Sequence, residues 1–146
     1  MSYTSLTYHL VFSTKDRRPT ISPQLLPRLR QHLGGIIRQM EGQMLAANGP
    51  EDHLHIAAVL TQKLAVMDVL RAIKSSSSQW IHETFPDAGG FDWQDGYSAF
   101  TVSHSAVGEV VKYVENQQEH HRKMTFQEEL RALLKNHGIE YDERYI

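Results

Sequence analysis

Two kinds of hydrophobic spacing divide the chain into strands and helices. Short stretches rich in aromatic and branched residues are typical of strands, and apolar residues repeating every three or four positions are typical of amphipathic helices. The predicted strands are 6–13, 43–47, 53–60 and 97–103. The predicted helices are about 22–40, 64–85, 105–122 and 125–138. The order is therefore strand, helix, strand, strand, helix, strand, followed by two helices.

This order matches the split β-α-β pattern of ferredoxin-like sheets. We therefore expect an α+β protein with an antiparallel sheet, helices packed on one face, and a C-terminal helical extension. Asn48-Gly49-Pro50 predicts a tight connection between the second and third strands. Thr125 and Glu128 form the Thr-x-x-Glu pattern of a capping box at the start of the last helix.

Length and composition narrow the class of protein. A chain of 146 residues is the size of one domain, so we predict a single domain over 1–146. No apolar run reaches the roughly 18 residues of a membrane span, and the N-terminus lacks the pattern of a secretory signal, so we expect a cytoplasmic protein. The chain has no cysteine, so any metal site must use histidine, carboxylate or amide groups.

The charge of the chain argues against indiscriminate binding of nucleic acid. The net charge is −2 and the pI is about 6.5, whereas such binders usually have a pI above about 9. Lys15, Arg17 and Arg18 nevertheless cluster after the first strand. They can form a local positive patch on a mildly acidic protein, or they can be ordinary solvated charges.

His53 and His55 are the first candidates for chemistry. Side chains alternate along a strand, so both imidazoles project to the same face and can converge on one metal ion. The alternative is a pair of ordinary half-buried histidines. The position of the pair on a predicted central strand favours a ligand, because buried imidazoles need polar partners.

Tyr113 and Gln117 form the second candidate set. They are four residues apart on the third predicted helix, so they lie on one face, with Asn116 and His120 close by. Taken alone, the tyrosine could pack at the edge of the core and the glutamine could lie at the surface. Together with the histidine pair, however, an amide oxygen could complete a site for a divalent ion. Such an ion would stabilise charge on a phosphate while the tyrosine hydroxyl attacks phosphorus.

At this point the sequence resembles a known family, the small single-tyrosine (TnpA-like) HUH transposases of the insertion-sequence-two-hundred group, which includes relatives associated with repetitive extragenic palindromes. The similarity spans most of the chain. The matching segments are Tyr8-His9-Leu10-Val11-Phe12-Ser13-Thr14-Lys15 with Arg17-Arg18-Pro19, Asp52-His53-Leu54-His55, Trp93-Gln94-Asp95-Gly96-Tyr97 and Tyr113-Val114-Glu115-Asn116-Gln117.

The resemblance implies an HUH-type ferredoxin-like fold with a catalytic core at 1–122 and a C-terminal helix and tail at 123–146. It implies that His53, His55 and Gln117 bind Mg²⁺ or Mn²⁺ and that Tyr113 is the nucleophile, giving a 5′-phosphotyrosine intermediate. It also implies recognition of hairpins in single-stranded DNA, and a homodimer in which the tyrosine helix can complete the partner's site.

Three other interpretations remain open from the sequence. A metal-dependent nuclease could use water, with His120 or His121 as the third ligand and Tyr113 only structural. A catalytically silent protein of the same fold could hold a hairpin with Lys15, Arg17, Arg18 and Trp93. A structural dimer module would leave the histidine pair and the tyrosine-to-glutamine spacing as coincidences.

Overall fold

The computed structural model describes residues 1–146. Its helices and strands are, in chain order, β1 (Thr7–Ser13), α1 (Leu25–Gln39), β2 (Gln43–Asn48), β3 (His53–Val59), α2 (Val66–Thr84), β4 (Ser98–Val102), α3 (Val107–Glu115), α4 (Gln117–His120) and α5 (Phe126–Asn136). Judged by length and hydropathy, none of these helices could cross a membrane.

The four strands form one antiparallel sheet in the order β2-β3-β1-β4. Strand β1 pairs with β3 on one side and β4 on the other, and β3 also pairs with β2. This is the strand order of a split β-α-β sheet. The predicted α+β fold with an antiparallel ferredoxin-like sheet is therefore confirmed.

Helices α1 and α2 pack on one face of the sheet, as expected from the sequence. Leu10 of β1 and Ile56 of β3 point to that side, where they join Leu29 of α1 and Ile73 of α2 in the main core. All four side chains are fully buried. Alternation along the strands places these residues on one face and their chain neighbours on the other.

The C-terminal helices cover the opposite face. Val11 of β1 packs there against Phe126 and Leu130 of α5, and Val114 of α3 packs against Ala57 of β3. Strands β1 and β3 carry apolar residues on both faces, so both faces of the sheet must be shielded from water by packed helices. The predicted C-terminal extension provides that second cover.

The third predicted helix is interrupted, which corrects the continuous helix expected over 105–122. Helix α3 ends at Glu115, and Asn116 leaves the helical region with φ −97° and ψ 21° before α4 begins. The side-chain amide of Asn48, at the end of β2, donates to the carbonyl of Glu115 at 2.9 Å. The break is therefore tied to the sheet, and it turns Gln117 into the interior.

The predicted tight turn is confirmed, and the predicted capping box is present through one of its two hydrogen bonds. The hydroxyl of Thr125 accepts from the backbone N–H of Glu128 at 3.2 Å, which caps the start of α5. Gly49 lies in the tight turn before β3, where an added Cβ would lie 2.1 Å from the carbonyl oxygen of His53. Only a residue without a side chain fits this approach.

Candidate active site

His53 and His55 lie side by side on β3, on the face that α5 covers. Both side chains are fully buried. The Nε2 atom of His53 lies 3.1 Å, and that of His55 2.9 Å, from the same oxygen, Oε1 of Glu129. The predicted convergence of the two imidazoles on one point is therefore present.

A partner orients each ring through its other nitrogen. The carboxylate of Asp52 lies 2.7 Å from Nδ1 of His53. Nε2 of His9, on the neighbouring strand β1, lies 2.8 Å from Nδ1 of His55. Partners of this kind fix the orientation of histidines that bind metals. Both rings consequently present Nε2 to the centre of the site.

Glu129 and His121 complete a cluster of four metal-ligating side chains. Glu129 comes from α5 and is 1% exposed, and its Oε1 atom lies 2.9 Å from Nε2 of His121. The ligand atoms of His53, His55, His121 and Glu129 all lie within 4.8 Å of one another. Three nitrogens and one carboxylate oxygen fit a divalent cation.

Tyr113 and Gln117 meet the same carboxylate from the other side. The hydroxyl of Tyr113 donates to Oε2 of Glu129, and Nε2 of Gln117 donates to that atom at 3.1 Å. The amide oxygen of Gln117 lies 3.1 Å from Nε2 of His121. The structure thus brings the predicted nucleophile and the predicted ligands His53, His55 and Gln117 around one glutamate.

The charges at the centre of the site stabilise one another. Burial alone would raise the pKa of Glu129, but hydrogen bonds from His121, His53 and His55 outweigh it and hold that pKa far below its usual range. Burial would lower the pKa of His53, but its bonds to Asp52 and Glu129 raise it. The His53 bond in turn lowers the pKa of Asp52 against the effect of burial.

Burial favours the neutral forms of His9, His55 and Tyr113. Burial, with a smaller effect of His55, lowers the pKa of His9 to about 3. Burial also lowers the pKa of His55 to about 4, despite its bond to Glu129. Burial and the bond to Glu129 raise the pKa of Tyr113 above its ordinary value of 10. The tyrosine hydroxyl is thus a proton donor in this arrangement.

A cleft of mixed charge lies beside His121. Its volume is about 710 Å³, and its lining includes the basic residues Arg17, Arg122 and Lys123 and the acidic residues Glu51, Asp52 and Glu128. Positive charge beside a cation site suits a phosphate backbone. Of the predicted DNA-binding residues, Arg17 lies in this cleft.

The turn that carries the basic residues is anchored beside the histidine strand. Asp16 and Arg17 both have positive φ, at 55° and 53°, which is uncommon for residues other than glycine. The backbone N–H of Thr14, at the base of the turn, donates to the carbonyl of Asp52 at 2.9 Å. Lys15 and Arg18 are exposed on the same turn.

Trp93 does not fit the DNA-binding role predicted for it. Its side chain is 5% exposed and belongs to the main core, where it packs edge-on against Phe12 and Phe91. Its indole N–H donates to the hydroxyl of Ser77 at 2.9 Å. A base cannot stack on a ring whose faces are already covered, so the role of Trp93 is packing.

Sequence reasoning missed Glu129 and His9, and it raised His121 only as an alternative ligand. Glu129 lies three residues after Phe126 and four before Leu133, on the apolar stripe of α5. A charged residue at such a position signals a buried partner. On β1, His9 lies between Thr7 and Val11 on the same face of the strand, and both of these residues are buried. A histidine at such a position also signals a buried partner.

Comparisons with known proteins show which family this chain resembles. A family profile described as "Transposase IS200 like" matches residues 2–117. The ISDra2 transposase TnpA of Deinococcus radiodurans is 26% identical over 117 residues, covering 77% of this chain and 84% of that protein.

Two solved structures share the fold. A crystal structure of a transposase candidate from Deinococcus radiodurans R1 superposes with a TM-score of 0.64 at 27% identity, covering 80% of this chain and 95% of the other. A tyrosine transposase associated with REP sequences, bound to a REP hairpin, gives a TM-score of 0.62 at 16% identity, covering 83% and 74%. With the profile spanning most of its length, the chain belongs to the IS200-like transposase family.

Proposed function

We propose that this transposase cleaves and rejoins single-stranded DNA through a covalent bond between Tyr113 and a 5′ phosphate, with a divalent cation bound beside it. The observation that carries the proposal is the shared carboxylate of Glu129. Its Oε1 atom faces Nε2 of His53 and His55, and its Oε2 atom accepts the hydroxyl of Tyr113. The Tyr113 hydroxyl and the two imidazoles therefore meet one carboxylate within one chain, which supports the proposal.

Tyr113 supplies the covalent step. Its oxygen forms a bond to phosphorus, and the bond from phosphorus to the 3′ oxygen of the preceding nucleotide breaks. The tyrosine proton is released, and the leaving oxygen takes up a proton from water. A 3′ hydroxyl can later attack the phosphotyrosine and reseal the strand without another energy source.

His53 and His55 would hold Mg²⁺ or Mn²⁺, and the family resemblance offers Gln117 for the third position, although its amide already contacts Glu129 and His121. When bound, such a cation stabilises negative charge on the scissile phosphate. The protein's own contribution is orientation, because Asp52 and His9 fix the two imidazoles and Glu129 fixes the tyrosine hydroxyl. Side chains that are already fixed in position lower the entropic cost of reaching the reactive geometry.

The DNA backbone would contact Arg17, Arg122 and Lys123 in the cleft beside His121, and Lys15 and Arg18 on the exposed turn that carries Arg17. A fold relative is bound to a REP hairpin, and we propose a hairpin near each element end as the structure recognised here. We further propose that the protein acts in the cytoplasm as a homodimer, and that the C-terminal segment 123–146 belongs to the active unit.

A covalent adduct on a denaturing gel tests this function. The full chain is incubated with Mn²⁺ or Mg²⁺ and single-stranded oligonucleotides copied from the DNA that flanks its gene. We expect an adduct that requires the ion, requires single strands, and disappears in Tyr113→Phe. Tyr3→Phe is the matched control, because Tyr3 is exposed at the N-terminus.

The other outcomes separate the alternatives. Cleavage that persists in Tyr113→Phe without an adduct would indicate a nuclease that uses water. Hairpin binding without cleavage would indicate a catalytically silent protein. One observation favours this second candidate: His53 and His55 are fully buried, and a protein that only binds hairpins needs no phosphate to reach them.

A further inference from the structure

We infer that the cation site of this chain is built from His53, His55, His121 and Glu129. Two of these four ligands then come from the segment beyond residue 117, where the match to the family profile ends. The inference deepens the proposed function and rests on it for the requirement for a cation.

The position of Glu129 is the first observation. Its Oε1 atom lies between 2.9 and 3.1 Å from three imidazole Nε2 atoms, those of His53, His55 and His121. Three ring nitrogens from two separate parts of the chain thus point at one anionic oxygen. The four ligand atoms lie within 4.8 Å of one another, so a cation bound among them requires only that the carboxylate oxygen move off the point on which the three nitrogens converge.

The second observation is the support behind the ligands. Asp52 holds Nδ1 of His53, and His9 holds Nδ1 of His55, so neither ring can turn its Nε2 away without losing a buried hydrogen bond. His9 is itself 4% exposed. Histidines that bind metals usually have a hydrogen-bond partner on the second ring nitrogen, which here is a carboxylate for His53 and an imidazole for His55.

The orientation of Gln117 is the third observation. Its amide nitrogen faces Glu129 at 3.1 Å, and its amide oxygen faces His121 at 3.1 Å. The amide therefore contacts two members of the cluster through its two ends. We assign Gln117 the role of a positioning residue that holds Glu129 and His121.

This donor set selects a class of metal. Imidazole nitrogens suit first-row transition ions, whereas Mg²⁺ prefers oxygen ligands and keeps several waters. Three nitrogens and one oxygen should therefore bind Mn²⁺ at least tenfold more tightly than Mg²⁺, and Zn²⁺ more tightly still.

Titration of the full chain with Mn²⁺ alone, without DNA, tests the ligand set. The free ion is followed by electron paramagnetic resonance, so the readout does not depend on activity. We expect Glu129→Gln and His121→Asn to weaken Mn²⁺ binding at least tenfold. Glu128→Gln, on the same helix but exposed, and His104→Asn, an exposed histidine, are matched controls that should bind like the unaltered chain.

Two results would overturn the inference. Tighter binding in Glu129→Gln would mean that the carboxylate competes with the cation for its place. The inference would also fail if Mn²⁺ binding were unchanged in both Glu129→Gln and His121→Asn and were lost only in Gln117→Ala. That result would support His53, His55 and Gln117, the ligands implied by the family resemblance.

A second measurement avoids variants that fail to fold. In the unaltered chain labelled with ¹⁵N-histidine, added Zn²⁺ should shift the Nε2 resonances of His53, His55 and His121 and leave that of His104 in place. An unshifted His121 resonance would overturn the inference. Metal binding with this pattern but without any DNA adduct would leave the inference standing and refute the proposed function.

Discussion

The hydroxyl of Tyr113 donates its hydrogen bond to Glu129, sixteen residues further along the chain. The helix that carries the tyrosine and the helix that carries the glutamate are separated by the break at Asn116 and by α4. The bond joins the end of the family-matched region to the C-terminal segment. Changes to either helix should therefore affect the nucleophile.

The strength of this bond can be measured by a double-mutant cycle. Tyr113→Phe, Glu129→Gln and the double variant are unfolded with urea in metal-free buffer. A hydrogen bond to a charged group contributes about 1.5–3 kcal/mol, so the two single effects should fail to add by an amount in this range. Effects that add to within about 0.5 kcal/mol would show that the two side chains act independently.

Asp52 should control metal affinity without touching the metal. Its carboxylate orients His53 through Nδ1, so Asp52→Asn should weaken Mn²⁺ binding about 10- to 100-fold. The fold should survive, because Asp52 is only partly buried. Calorimetric titration provides the measurement, and Glu51→Gln, at the exposed neighbouring position, is the control. Equal affinities in the two variants would contradict the orienting role.

Arg17 should contribute to DNA binding through the phosphate backbone. In Arg17→Gln, the slope of log affinity against log salt for a single-stranded hairpin oligonucleotide should become shallower by about 0.7. Arg71→Gln is the control, because Arg71 pairs with Asp68 on α2, across the sheet from α5. Fluorescence anisotropy at several salt concentrations gives both slopes, and an unchanged slope in Arg17→Gln would place the DNA elsewhere.

Acid should destabilise the metal-free protein before its carboxylates titrate. The pKa values of His9 and His55 are about 3 and about 4, against 6.5 in an unfolded chain, because both rings are buried. The unfolded chain therefore binds more protons, and stability present above pH 6.5 is lost as the pH falls. Each of the two contributes up to about 1.4 kcal/mol per pH unit.

His53 has the opposite effect on stability, because its pKa is raised in the folded protein. Its contribution to stability is complete below pH 6.5 and is lost as the pH rises. The two low-pKa histidines should outweigh it between pH 6.5 and 5. Urea unfolding at three pH values in this window measures the slope. His9→Asn should flatten it, and an identical slope in that variant would disprove the assignment.

Local patterns were sufficient to predict the sheet. Alternation in β1 and β3, the glycine turn at Gly49 and the helix cap at Thr125 are set by neighbours in the sequence, and all are present. The same alternation put His53 and His55 on one face. These features depend on residues a few positions apart, which the sequence displays directly.

The rest of the site depends on packing between distant segments. Glu129 meets the histidines only because α5 crosses the second face of the sheet, and no local pattern specified that docking. The helix break at Asn116 depends on the side chain of Asn48, which lies far away in the chain. The sequence predicts a DNA-binding role for Trp93 and does not reveal its burial, which arises from contacts with Phe12 and Ser77.

The turn at Gly49 has a consequence for how related chains diverge. The atom nearest to an added Cβ there is the backbone carbonyl oxygen of His53, the first residue of β3, so a substitution would displace the backbone that carries a proposed ligand. A related chain could keep the His-x-His motif and still lose the alignment of its first histidine through a substitution of this glycine. The residue at this position therefore distinguishes relatives whose histidines can be correctly aligned from relatives that keep only the His-x-His motif.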